Sequence, residues 1–261
     1  MVRILSALVL LPIAAAAVWF LPPVYLLGVA LAVLAAAFVE YVRLVEQLGV
    51  RLPRVAAGTA AAAVCLAAGW PGAALEVPLA AVLIALAAQA VGDRATGPAA
   101  LHGLGASVFG AVWLGLPIGT LVAVDAGAGR GALLLLMAVV VASDTAQYYT
   151  GTLLGRHRLA PAISPKKSVE GAAGGFAAGI ATMVIGGQWA LPTMGAWWLA
   201  GLGAAVVACG ILGDLLESLL KRSAGVKDSS GVIPGHGGVL DRIDALLLAA
   251  PAFWIGVRFL V

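Results

Sequence analysis

The sequence predicts an all-α integral membrane protein, a polytopic bundle of about nine transmembrane helices with its N-terminus in the cytoplasm. Composition is the first reason. Of the 261 residues 62% are hydrophobic and 10% charged, whereas a soluble globular domain carries about 25% charged residues. The second reason is the length of the apolar stretches. They run unbroken for roughly the 20 residues that a helix needs to cross the hydrocarbon core, and they lack the short alternating pattern of a barrel strand. The third is the distribution of basic residues, which fall almost entirely in alternate gaps between those stretches.

From the N-terminus the candidate spans are about 4–20, 23–42, 55–70, 76–92, 104–124, 131–154, 171–190, 196–220 and 243–260. The first follows Met1-Val2-Arg3 and has the form of a signal peptide. Phe20-Leu21-Pro22-Pro23 leads straight into the second span, so a retained first helix is expected. The third and fourth spans are short and alanine-rich. Cys65 and Cys209 sit inside apolar spans and read as small buried hydrophobes, without disulfide or metal spacing.

Up to residue 130 the connections are short, polar residues are scarce, and Ala- and Gly-rich faces suit close helix packing. Residues 131–261 hold two long loops and the conspicuous intramembrane acids. No internal repeat is evident, which argues against an inverted-repeat transporter. The expectation is a single membrane domain, 1–261, with an N-terminal helical scaffold (1–130) and a catalytic half (131–261).

With the N-terminus inside, Arg3, Arg43, Arg51, Arg54, Arg94, Arg156, Arg158, Lys166, Lys167, Lys221, Arg222, Lys227 and Arg242 lie on the cytoplasmic side. Only Arg130 and Arg258 lie opposite, so thirteen of fifteen basic residues obey the positive-inside rule. The basic balance therefore follows from topology and calls for no nucleic-acid partner.

Span six reads AVVVASDTAQYYTGTLLGR. Asp144 lies within an apolar run, where an ionised carboxylate costs roughly 2.5–3.5 kcal/mol on insertion scales. Asp144, Gln147, Tyr148, Gly151 and Gly155 recur at helical spacing on one face. That face is either a packing stripe with one hydrogen-bonded acid or, as preferred here, the wall of a polar cavity. Span eight ends ILGDLLESLLKR and stacks Asp214, Glu217, Ser218 and Lys221 on one face. A Glu217–Lys221 pair at i, i+4 is the plainer account of part of it, but leaves Asp214 unexplained.

The passage 218–244, SLLKRSAGVKDSSGVIPGHGGVLDRID, holds four of the fifteen Lys and Arg and three of the twelve Asp and Glu. Its glycines permit close approach of backbone N–H groups to a ligand, and neighbouring lysines favour phosphate. Plain turn formation is the alternative. Asp241 and Asp244 open the last span, where acids interact favourably with the helix dipole or, with an acid from another helix, hold a hard cation such as Mg²⁺. His236 reads as a general base, a turn residue or a hydrogen-bond donor to ligand. In the loop GRHRLAPAISPKKSVEGAAGG, Ser164 to Ser168 begins a turn that Glu170 and Gly171 carry into span seven. Arg156 and Arg158 read equally as membrane anchors.

These residues resemble a known family. The run Ser218, Lys221, Arg222, Lys227, Asp228, His236, Gly237, Gly238, Asp241, Arg242, Asp244 is similar to the signature of CDP-diacylglycerol synthases, also called phosphatidate cytidylyltransferases. Asp144, Gly151, Gly155, Ser164, Pro165, Lys166, Lys167, Glu170 and Gly171 resemble the family's second conserved region. Gln147-Tyr148 departs mildly from its usual Ala-Tyr. The strong resemblance covers about residues 140–250.

The resemblance implies that CMP passes from CTP to phosphatidic acid, giving CDP-diacylglycerol and pyrophosphate, with Mg²⁺ as cofactor and a second cation left open. It implies Asp214 and Asp241 as metal ligands, with Asp144 and Asp244 as further candidates, and places Lys221 among the catalytic residues. Ser164, Lys166, Lys167, Glu170, Ser218, Arg222, Lys227, Asp228, His236, Gly237, Gly238 and Arg242 become candidate substrate contacts. The expected location is the inner (plasma) membrane with the site facing the cytoplasm, and a homodimer is left open. A CTP-dependent lipid-alcohol kinase and an ion-coupled transporter are the alternatives.

Overall fold

The computed structural model describes residues 2–70, 72–93, 96–231 and 237–260. Arg94, Pro234, Gly235 and His236 lie outside the described residues, as does the side chain of Arg3.

Helices occupy all nine predicted stretches. They are α1 (Val2–Phe20), α2 (Pro23–Gln47), α3 (Arg54–Gly69), α4 (Glu76–Gly92), α5 (Pro98–Gly110) continuing through a π turn (Ala111–Gly115) into α6 (Leu116–Ala128), and α7 (Arg130–Leu154). After a hairpin of β1 (Arg158–Ala160) and β2 (Ser164–Ser168) come α8 (Val169–Ala190), α9 (Ala196–Ser223), one-turn α10 (Leu240–Ile243) and α11 (Leu246–Leu260). The architecture is that of an all-α polytopic membrane protein. Among the described residues five segments are long and apolar enough to cross a membrane: Pro23–Gln47, Pro98–Ala128, Arg130–Leu154, Val169–Ala190 and Ala196–Ser223. As expected, α3 and α4 are short.

Three boundaries differ from the sequence reading. The fifth span starts at Pro98 rather than near 104, because Gly97 at φ +90° breaks the chain and Pro98 suits the first helical position. The ninth is divided between α10 and α11. The supposed turn at Ser164–Ser168 is a strand, with Arg158 opposite Ser168 and Ala160 opposite Ser164 in antiparallel register.

The chain folds as two compact units, Met1–Ala123 with Ser223–Arg242, and Val124–Arg222 with Ile243–Val261. In the first, α3 packs on the π turn and α6 through small residues. A side chain at Gly115 or Gly119 would collide with the carbonyl oxygens of Ala61 or Cys65. The π turn directly precedes Leu116-Pro117, and a proline at 117 cannot donate to the carbonyl four residues back, so the widened turn accommodates it. Beside it Tyr41 sits among Phe38, Phe109 and Trp113 with ring centroids 6.1–6.3 Å apart. Its hydroxyl donates to the Ala106 carbonyl at 2.7 Å.

In the second unit α7 and α8 pack antiparallel along their length. Gly131 faces Ala190 at one end, and Gly151 and Gly155 face Ser168 at the other. Ser168 also caps α8, its Oγ accepting the Gly171 amide at 3.1 Å. α11 lies against α7, and Gly256 admits Leu202 of α9.

Candidate active site

Three segments of the second unit converge on a cluster of acids. Asp144 of α7, Asp214 of α9 and Asp244 just before α11 lie within electrostatic reach of one another. Gly213 makes the approach possible: a Cβ there would stand 2.5 Å from the Asp244 carbonyl oxygen. Lys167 Nζ lies 2.7 Å from Asp214 Oδ2. Ser218, one turn on from Asp214, directs its hydroxyl to Oδ1 at 3.3 Å. Gln147 Nε2 donates to Asp144 Oδ1 at 3.1 Å and to Ser143 Oγ at 3.2 Å.

The polar face of α7 thus divides its work. Gly151 and Gly155 pack against the start of α8, Tyr148 is exposed, and Asp144 remains accessible beside Asp214. The same division appears on α9. Lys221 forms the i, i+4 ion pair with Glu217, both buried, while Asp214 takes Lys167 and Ser218 instead. Lys166 and Lys167 are separated by the strand that carries them. Side chains alternate along β2, so Lys167 reaches Asp214 while Lys166 is exposed.

The loop before α8 is held by Glu170. Its carboxylate accepts the amides of Arg156 at 3.0 Å and His157 at 3.2 Å, and pairs with His157 Nδ1 at 2.6 Å. Ser164 belongs to the hairpin, opposite Ala160. Arg222 is exposed at the end of α9.

A second polar cluster lies in the first unit. Asp241 Oδ2 accepts the Ser229 amide at 2.9 Å, the Ser229 hydroxyl at 2.7 Å and the Gly238 amide at 2.7 Å. Beside it is Glu40 of α2, only 2% exposed. Glu40 Oε1 accepts from Ser230 Oγ at 2.7 Å and the Val239 amide at 3.0 Å. Its Oε2 accepts from Ser229 Oγ at 2.9 Å and the Leu240 amide at 2.8 Å. Gly237 has φ +78°, and a Cβ on it would come within 2.6 Å of Asp241 Oδ2. Lys227, Asp228 and Arg242 are exposed, and His236 lies outside the described residues.

Sequence reasoning missed Glu40 and His157. Glu40 carried a usable signal, a single acid inside the second apolar span, as strong as the one that drew attention to Asp144. His157 carried none, because its partner is thirteen residues away across a hairpin.

Asp144, Asp214 and Asp244 offer the hard oxygen donors that suit Mg²⁺ or a similar ion. Among the described residues no three such side chains enclose an ion on their own.

The model of the family described as "Cytidylyltransferase family" matches residues 1–260. The chain belongs to the cytidylyltransferase family. Among its relatives is a Pseudomonas aeruginosa protein named phosphatidate cytidylyltransferase, 36% identical over 96% of this chain and 94% of the relative. One of the same name from Mycobacterium bovis is 41% identical over 61% of this chain and 52% of the relative. Its Mycobacterium tuberculosis counterpart is 41% identical over 61% of this chain and 49% of the relative. The match thus spans about half the length of the mycobacterial relatives. Cytidylyltransferases are in general metal-dependent, in keeping with a site rich in carboxylates.

Proposed function

We propose that the chain is a phosphatidate cytidylyltransferase, forming CDP-diacylglycerol and pyrophosphate from CTP and phosphatidic acid in phospholipid biosynthesis. The observation that carries the reading is the cluster of Asp144, Asp214 and Asp244 with Lys167 set against Asp214. A nucleotidyl transfer between two phosphates needs charge neutralisation and in-line positioning more than a covalent nucleophile. An oxygen of the lipid phosphate forms the new bond to the α-phosphorus of CTP. The bond from that phosphorus to the bridging oxygen breaks, and pyrophosphate leaves with the electron pair. The attacking oxygen is already anionic, so no general base is required.

In this reading Asp144, Asp214 and Asp244 would hold Mg²⁺; for Asp241 a part as a metal ligand is what the family resemblance implies. The ion would neutralise triphosphate and pyrophosphate charge. Lys167 neutralises Asp214 in the free protein and turns to phosphate when substrate arrives. Lys166, Arg222, Lys227 and Arg242 supply further positive charge for the triphosphate and the lipid headgroup. Lys221, paired with Glu217, contributes its charge within α9. Residues 131–261 carry the catalysis and 1–130 support it, within one membrane domain. The bias of basic residues supports a site at the cytoplasmic face, and the proposed location is the inner membrane, where lipid would arrive sideways and CTP from solution.

The test is the purified full chain with phosphatidic acid, CTP and Mg²⁺, following CDP-lipid and pyrophosphate together. Retention of α-label from CTP in the lipid is expected. Retention of γ-label instead marks a lipid-alcohol kinase, and nucleotide-independent ion flux without lipid product marks a transporter.

A further inference from the structure

We infer that Glu40, on the second helix, is a positioning residue for the reaction: it holds the Ser229–Ser230 and Gly238–Leu240 segments in place and, through Ser229, sets the carboxylate of Asp241. The inference rests on the function proposed above, because it gives Asp241 a part in that chemistry.

Glu40 interrupts an otherwise apolar face. A buried carboxylate is tolerated only when charge-compensated or fully hydrogen-bonded, and Glu40 meets the second condition. Its two oxygens offer about four lone-pair directions. The Ser230 hydroxyl and the Val239 and Leu240 amides donate to three of them, and the single proton of the Ser229 hydroxyl is shared between Glu40 and Asp241. All four donors come from a stretch 189–200 residues further along the chain. The Val239 and Leu240 amides belong to the start of α10, where N–H groups have no partner within the helix. Glu40 therefore acts as a cap supplied from a distant helix.

The link to Asp241 is short. Ser229 Oγ stands 2.9 Å from Glu40 Oε2 and 2.7 Å from Asp241 Oδ2, so one hydroxyl touches both carboxylates. Gly238 completes the arrangement: its amide is bound to Asp241 Oδ2, and a Cβ on it would collide with Ser229 Oγ and Glu40 Oε2. Movement of the Glu40 carboxylate must shift Ser229 or Gly238, and either one carries Asp241 with it. A partner that orients a ligand from behind typically governs 10–100-fold in activity.

Glu40→Gln keeps the size and removes the function of the side chain. A carboxamide offers one acceptor oxygen and turns an NH₂ donor towards two other donors. The experiment is hydrogen–deuterium exchange on the full chain in detergent, without substrate, combined with steady-state kinetics. E40Q is expected to exchange faster at Ser229, Gly238, Val239 and Leu240 while α7 and α8 keep parental protection. It should also lower kcat by about 10–100-fold, with smaller changes in KM for CTP and phosphatidic acid. Ser229→Ala, a smaller lesion in the same link, should shift exchange and kcat in the same direction and decides the matter if E40Q does not fold. Parental exchange at those four amides with parental kcat in the folded variants overturns the inference. Absence of CDP-lipid from the parent protein would instead count against the proposed function, and the exchange result would still report on the Glu40 link.

Discussion

Lys167 Nζ and Asp214 Oδ2 stand 2.7 Å apart, bringing together a β-strand and a transmembrane helix whose residues are 47 positions apart in the chain. Both side chains are partly accessible, at 19% and 33%. Neither side chain is fully enclosed, so a ligand can reach the pair from outside. In the proposed reaction an incoming phosphate would replace Asp214 as the partner of Lys167 and leave the carboxylate free for a cation.

Asp214→Asn is therefore expected to lower CDP-lipid formation by on the order of 10²–10³-fold, the scale on which removal of a preorganised charged or polar group acts at a transition state. Asp241→Asn should fall in the same direction. Size-exclusion profiles of both variants should match the parent. Parental activity in D214N would remove the carboxylate from the mechanism.

The strand alternation at β2 separates two neighbouring lysines. Lys167→Met should reduce kcat/KM for CTP at least tenfold, about the 1.4 kcal/mol expected of a lost charged contact. Lys166→Met should change it only a few-fold, because that side chain is exposed. Equal losses in the two variants would show that the pair acts as undifferentiated positive charge.

Gly213→Ala tests the close approach of α9 to Asp244. The new methyl group would stand 2.5 Å from the Asp244 carbonyl oxygen, and overpacking of this kind costs roughly 1–3 kcal/mol. A lower unfolding temperature in detergent and a loss of activity are both expected. Gly201→Ala on the same helix meets nothing within 4 Å and should be neutral or slightly stabilising. If the two substitutions behave alike, the contact at Gly213 does not govern the site.

Chelation should stop turnover and added Mg²⁺ should restore it. Mg²⁺ commonly takes one or two carboxylates and completes its shell with water and substrate phosphate. Metal affinity is thus expected to rise when CTP is present, and calorimetry with and without nucleotide measures the difference. Equal affinity in the two conditions would contradict a shared shell.

The contacts within single helices of the candidate site were legible from residue spacing. Asp214 and Ser218 at i, i+4 do form a hydrogen bond, and the Glu217–Lys221 pair at the same spacing is made as well. Helical periodicity is enough for such contacts, because both partners ride on one helix. Asp144 was conspicuous because a carboxylate in an apolar run demands an explanation. Glu40 met the same criterion, yet its partners lie almost 200 residues away, and no local pattern announces them.

The sequence by itself determined the solvent of this protein, its helical segments and the passages that hold charge, because these follow from hydropathy summed over short windows. Only the tertiary structure decided how the charges pair: Lys167 with Asp214, Glu170 with His157, and Glu40 with the segments beside Asp241. The physical reason is distance along the chain. A carboxylate shielded from water takes whichever donors packing brings to it, and packing depends on small residues: Gly213 lets its helix meet the Asp244 backbone, and Gly238 makes room for the Glu40 and Ser229 side chains. Local periodicity describes each helix face and leaves open which partner will cover it.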